Sequence, residues 1–146
     1  MKFKKFIFIT MLAVVVGIGG GVANAVTTNF STDVNTAIDN GLAWLDTNGA
    51  YNNPSAAGNA AGLCLLALLE KRVGADQDAV SQGYASASAA DQTRMENVVE
   101  YILNNHISHS FEAYRDGQDL MALSVYLLSG GPDISGASYT VLGALN

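Results

Sequence analysis

One stretch of the chain concentrates side chains able to do chemistry: His106, His109, Glu112, Tyr114, Arg115, Asp116 and Asp119. His106 and His109 are three places apart, as are Asp116 and Asp119. On one face of a helix either pair could chelate zinc or calcium. A carboxylate beside an imidazole could also serve as acid and base. Neither spacing matches a known ligand signature, and Asn105 and Ser110 make the histidine region read as a turn. The favoured reading is structural: the cluster caps a helix and solvates a loop, with Arg115 paired to a neighbouring acid. No catalytic residue, metal or other cofactor is assigned from the sequence.

Other candidates are weaker. Cys64 is the only cysteine, which excludes an internal disulfide. It lies in the apolar run 59–69, where cysteine behaves as a small buried hydrophobe rather than a reactive thiol. Tyr51, Tyr84 and Tyr114 could stack on sugars, but three scattered tyrosines read more simply as packing. Glycine is plentiful, yet no glycine-rich loop joins a strand to a helix, so nucleotide binding has no support.

The elements that must position these groups begin after an N-terminal leader. Lys2, Lys4 and Lys5 form a basic segment, 6–16 is apolar, and Ala23-Asn24-Ala25 is a small-x-small site. That is the layout of a secretory signal peptide over 1–25, favoured over an uncleaved anchor because glycines interrupt the apolar run. The expected localisation is export, to the periplasm or outside the cell. Three of the seven basic residues and none of the thirteen acids fall in the leader, which leaves the mature chain at −9. Such an acidic chain is a poor partner for nucleic acid, and no membrane association is expected after cleavage.

Apolar periodicity then marks helices. Ile38, Leu42 and Leu45 make one stripe on a helix capped by Asp33, ending at Asn48-Gly49. Asn53-Pro54 opens a second helix, apolar on nearly every side through 59–69 and closed by Lys71-Arg72. The linker 73–90 is rich in Ser, Ala, Gly, Asp and Gln and reads as an excursion or mobile loop. Asp91 opens a third helix with the stripe Met95, Val99 and Ile102. A fourth apolar run follows Asp119 and stops at Gly130-Gly131-Pro132. The run 136–146 reads as the start of a fifth helix.

A shift of 57 residues superposes the first pair of helices on the second. Ile38 falls on Met95, Leu42 on Val99, Trp44 on Tyr101, Leu45 on Ile102, Leu63 on Leu120 and Leu66 on Leu123. No gap is needed. The expected fold is therefore all-α, a repeat of antiparallel hairpins with an amphipathic outer helix and a largely buried inner helix. The hairpins fall at about 33–72 and 91–129, with the start of a third outer helix at 136–146. The last residues form an apolar run without a polar stop, so the array is expected to be incomplete. Leu120, Leu123, Leu127, Leu142 and Leu145 should then lack neighbours, and the mature chain should self-associate through that edge.

Residues 37–45 (Ala-Ile-Asp-Asn-Gly-Leu-Ala-Trp-Leu) with 58–70 resemble the prenyltransferase/squalene oxidase repeat, and 116–124 (Asp-Gly-Gln-Asp-Leu-Met-Ala-Leu-Ser) resemble its second half again. The resemblance covers about 34–129. It implies part of an α/α toroid, in which inner helices line a cavity and the cluster at 106–119 stands at its mouth. The catalytic signatures of the group are absent. Asp76-Gln77-Asp78-Ala79 lacks the last acid of Asp-x-Asp-Asp, Trp44 has no preceding glutamine, and Cys64 is not followed by Gly-Glu-Gln. No prenyltransferase zinc site can be matched. The expected function is binding or scaffolding without catalysis, toward an unidentified ligand or protein. The alternatives are a truncated terpenoid cyclase-like or polysaccharide-processing enzyme, or an inactive fragment of a broken gene.

Overall fold

The computed structural model describes residues 27–76, 78–107 and 110–146. The expected leader and its cleavage site lie outside them. Five α-helices follow one another: α1 (Asn29–Thr47), α2 (Ala61–Leu69), α3 (Ala89–Asn105), α4 (Ala113–Leu128) and α5 (Val141–Leu145). Among the described residues there is no strand, only an isolated antiparallel bridge between Arg72 and Ser81. None of the described helices is long and apolar enough to cross a membrane. The chain is all-α.

Helix starts differ from expectation for local reasons. α1 begins before Asp33, because Thr28 and Ser31 exchange side chain–backbone hydrogen bonds in a capping box. α3 is capped by Ser88, whose Oγ accepts from the Asp91 N–H, so Asp91 sits inside the first turn. The second helix starts late. Pro54–Ala56 and Gly58–Ala60 are single 3₁₀ turns, separated by Ala57 and followed directly by α2. Gly58 has φ +52°, a conformation that cannot continue an α-helix. The stretch 57 residues further on lacks that break and forms the first turn of α4. The fifth helix forms only from Val141, capped by Thr140.

α2 is the hub. It packs most extensively on α4, next on α3 and only lightly on α1. Leu65, Leu68 and Leu69 of α2, Met95, Val98, Val99, Ile102 and Leu103 of α3, and Ala122, Leu123 and Tyr126 of α4 form the buried core. Cys64 belongs to it as a free thiol, and burial raises its pKa. α1 contributes no buried residue, so its stripe is only half covered.

The segment between α2 and α3 is docked rather than free. The Gln82 and Gly83 N–H groups donate to the Lys71 and Leu69 carbonyls at 2.7 and 2.9 Å. The Tyr84 N–H donates to Ser129 Oγ and the Ala85 N–H to the Ser129 carbonyl, both at 3.0 Å. The Tyr84 ring meets Tyr126 edge-on at 5.1 Å. Its hydroxyl bonds Glu96, which with burial lifts the phenol to about 12. These contacts depend on Gly83, which has φ +58° and where a Cβ would stand 2.8 Å from Ser129 Cβ. Gly83→Ala is expected to cost about 2 kcal/mol, from the left-handed backbone and the close contact together. Thermal unfolding and faster amide exchange at Tyr84 and Ala85 would register it. An unchanged melting temperature would show that the loop re-docks without this contact.

Candidate functional site

The site forms where α3 ends and α4 begins, against the start of α2. His106 caps the C-terminus of α3, with its N–H on the Ile102 carbonyl at 2.9 Å. Asp119 lies in the second turn of α4, and its Oδ2 is 2.6 Å from His106 Nδ1. The pair is enclosed: His106 is 7 % and Asp119 1 % exposed. Tyr101 meets the imidazole edge-on with ring centroids 5.0 Å apart. Burial raises the Asp119 pKa, while its hydrogen bond to His106 and the attraction between the two oppose that rise.

Asp119 also sits on the N-terminal turn of α2. The Gly62 N–H faces its carboxylate and favours the charged form, without making a well-formed bond to Oδ1, which has no partner among the described residues. A Cβ on Gly62 would lie 2.6 Å from Asp119 Oδ1 and 2.8 Å from both the Asp119 nitrogen and the Gln118 carbonyl carbon. Only glycine admits this approach of α2 and α4. Beside it, Gln118 Nε2 donates to the Asn59 carbonyl, and Gln118 Oε1 is buried without a partner among the described residues. Asn59 Nδ2 donates to Glu112 Oε2 at 3.2 Å. The starts of α2 and α4 are thus joined by polar side chains from both, Asn59 on one side and Glu112, Gln118 and Asp119 on the other.

The remaining acids organise the start of α4. Asp116 Oδ2 accepts the Glu112 N–H at 2.8 Å and satisfies a donor of the first turn. Arg115 Nε donates to Asp116 Oδ1 at 2.7 Å, Nη2 to the Ser110 carbonyl at 2.9 Å, and Nη1 stands 3.5 Å from Glu112 Oε1. Desolvation pushes the Asp116 pKa up, but Arg115 and the Glu112 N–H outweigh it and hold it below the usual value.

Of the seven residues singled out in the sequence, His106 and Asp119 meet directly, while Glu112, Arg115 and Asp116 form a neighbouring cluster. Tyr114 is exposed and joins neither in any bond described here. His109 lies outside the described residues. A cavity of about 170 Å³ opens beside the pair, lined by His106, Ile107, Phe111, Asp116, Asp119, Leu120 and Ala144. Periodicity does not mark Gly62, Asn59, Gln118, Phe111 or Ala144 as part of this place. Gly62 stands 57 residues before Asp119, but a shift that superposes two positions does not predict contact between them, so no signal in the sequence marked it.

Chemically, a carboxylate that accepts a hydrogen bond from Nδ1–H of an imidazole orients the ring and fixes which nitrogen carries that proton, so that in the neutral form Nε2 is an acceptor or base. No serine or cysteine nucleophile is bonded to that ring among the described residues; Cys64 lies in the core of α2. The described residues hold no group of three or more His, Cys, Asp or Glu side chains placed to bind a metal ion. Tyr51, Tyr84 and Tyr114 do not form one stacking surface: the first is buried, the second half-buried and the third exposed.

A second feature lies on the helix faces. Positions related by the 57-residue shift are covered unequally. Met95 of α3 is 0 % exposed, whereas Ile38 of α1 is 38 % exposed. Cys64 of α2 is 6 % exposed, whereas Met121 of α4 is 53 % exposed. α5 packs on α4 and buries Val141, but leaves Leu120, Met121 and Leu128 open. No family model, curated protein or solved structure matches the chain.

Proposed function

We propose that this chain is an exported helical-repeat protein of the α/α-toroid kind that works without catalysis, as a scaffold that docks further copies of its own hairpin. What supports export is the leader layout of residues 1–25, and what supports the repeat is the shared register of α1 with α3 and of α2 with α4. The observation that carries the reading is the unequal covering of equivalent positions. Inside the chain, α2 seats α3, and Cys64 and Met95 are buried. The faces carrying Met121 on α4 and Ile38 on α1 are the same two surfaces without their partners. Each apolar side chain covered there would contribute about 1.5–3 kcal/mol. An α4 face seated on another copy's α1 face is a head-to-tail contact, which builds rings or filaments rather than closed two-fold dimers.

The test uses two single variants of the mature chain, Ile38→Lys and Met121→Lys, followed by sedimentation velocity over a concentration series. The unmodified chain is expected to form species larger than dimers, and each variant alone to be monomeric. Mixed, the two variants should form a 1:1 dimer and nothing larger, since each retains one working face. A chain that stays monomeric at millimolar concentration would overturn the reading. So would variants that still assemble alone.

The alternative reading is an enzyme of the terpenoid cyclase-like or polysaccharide-processing toroid class. The observation that favours it is the buried His106–Asp119 pair beside a cavity, an arrangement suited to proton transfer.

A further inference from the structure

We infer that the apolar segment 6–16 of the leader docks on the open face of α1 and covers it until the leader is removed. That face presents Phe30, Val34 and Ile38 at 75, 42 and 38 % exposed, with Leu42 and Leu45 half-buried further along. Two hollows of about 270 and 500 Å³ lie along it and share Ile38, so together they make one groove from Phe30 to Leu45. Over that distance the helix rises roughly 22 Å. Ala67 of α2, with Gly74 and Ala75 beyond it, forms the opposite wall.

Other segments of the chain are committed elsewhere. The connection between α2 and α3 is docked on Ser129, and α5 packs on α4. The leader is joined directly to the open face, with residues 17–28 between its apolar segment and α1. Extended, those residues reach roughly 40 Å, enough to turn back along the groove. The segment 6–16 carries no charge, and laid down as a helix it would cover about 16 Å of the groove. A reversed path brings Lys2, Lys4 and Lys5 to the Leu45 end. α1 carries Asp33, Asp39 and Asp46 and no base, and Glu70 stands at the groove. Asp39 and Asp46 already pair with Lys71 and Arg94, so charge orients the segment while apolar burial holds it. A tether of this length gives a local concentration on the order of millimolar, against which a second copy at micromolar concentration does not compete. The docking stands by itself. Its consequence, that removal of residues 1–25 frees the face for assembly, rests on the scaffold reading above.

The full chain, made by cell-free synthesis without membranes so that the leader is retained, carries p-benzoylphenylalanine in place of Phe8. Irradiation and peptide mass spectrometry should place most cross-links within one chain, at residues 30–45 and 67–76. An equal mixture with ¹⁵N-labelled chain separates these from links between copies. Ile38→Lys should lower the yield about fivefold or more, and Met121→Lys, on α4, should leave it unchanged. Cross-links spread over the chain, or made mainly to a second copy, would overturn the proposal. So would a full chain that precipitates where the mature chain stays soluble, since a covered leader is not adhesive. Sedimentation velocity tests the consequence separately: the full chain should stay monomeric at concentrations where the chain lacking residues 1–25 forms larger species. If the shortened chain is monomeric while the cross-links fall on α1, the scaffold reading fails and the docking stands. If it assembles while the cross-links miss α1, the docking fails and the scaffold reading stands.

Discussion

Gly62→Ala is expected to destabilise the chain by about 3 kcal/mol, the upper end of what a single added methyl does in a packed interior. The Cβ would meet three atoms at 2.6–2.8 Å, and two of these, the Asp119 nitrogen and the Gln118 carbonyl carbon, belong to the backbone of α4. A side chain could rotate away; a helix backbone cannot. Relief requires α2 and α4 to separate, and this is the most extensive helix contact in the molecule. Gly117→Ala is the matching control. It sits in the first turns of α4, a Cβ there meets nothing within 4 Å, and its backbone is not left-handed. Replacing a helical glycine at an open position should stabilise by roughly 0.5–1 kcal/mol. Urea unfolding of the two variants should therefore move the midpoint in opposite directions at constant slope. If both shift the same way, the close approach at Gly62 is not what limits α2–α4 packing.

His106→Ala is expected to cost a further 3–5 kcal/mol relative to the unmodified chain, because it leaves the Asp119 carboxylate buried without a partner. Asp119→Ala should cost a similar amount by stranding the imidazole and uncovering the start of α2. Since the two act as one unit, the double variant should lose much less than the sum. Replacing both by leucine should recover at least half of the loss, since a buried pair exchanged for apolar groups of like volume is often close to neutral. A double-leucine chain as unstable as either alanine variant would mean that the pair holds the geometry of the α3–α4 connection beyond its own charge balance.

The two acids also predict opposite slopes against pH. Asp119 has its folded pKa raised from 3.8 by burial, so the folded chain holds the extra proton above that value. Its contribution to stability therefore falls as pH rises through the window between 3.8 and the raised value. Asp116 is depressed below 3.8. Its contribution is present above that value and is lost as pH falls through the depressed one. Asp119→Asn should accordingly gain on the unmodified chain as pH rises from 3.8, and Asp116→Asn should lose its disadvantage in stronger acid. Parallel profiles for both variants would show that neither shift survives in solution.

Much of the architecture is a local property and was legible without coordinates. The run 59–69 is apolar on nearly every side, and α2 proves to be the element that the others surround. The stripe Met95, Val99 and Ile102 is buried as its spacing requires. Periodicity reports which faces need covering, because it depends only on residues a few places apart. Helix ends were less legible. The cap of α1 is a Thr28–Ser31 exchange without the usual acidic partner, and Gly58 breaks a helix through a backbone angle that composition alone does not specify.

What tertiary structure decided is who meets whom. The sequence offered His106 with His109 and Asp116 with Asp119, each at a spacing of three. The fold joined His106 to Asp119, because the end of α3 and the second turn of α4 converge where Gly62 lets α4 lie against α2. It also docked the polar linker on Ser129 through backbone groups that carry no sequence signal. It covered Met95 and left Ile38 open, although the two stand at corresponding places in the apolar stripes of their helices. Burial depends on the neighbours that arrive from elsewhere in the chain, and a residue's own spacing cannot state whether one has arrived.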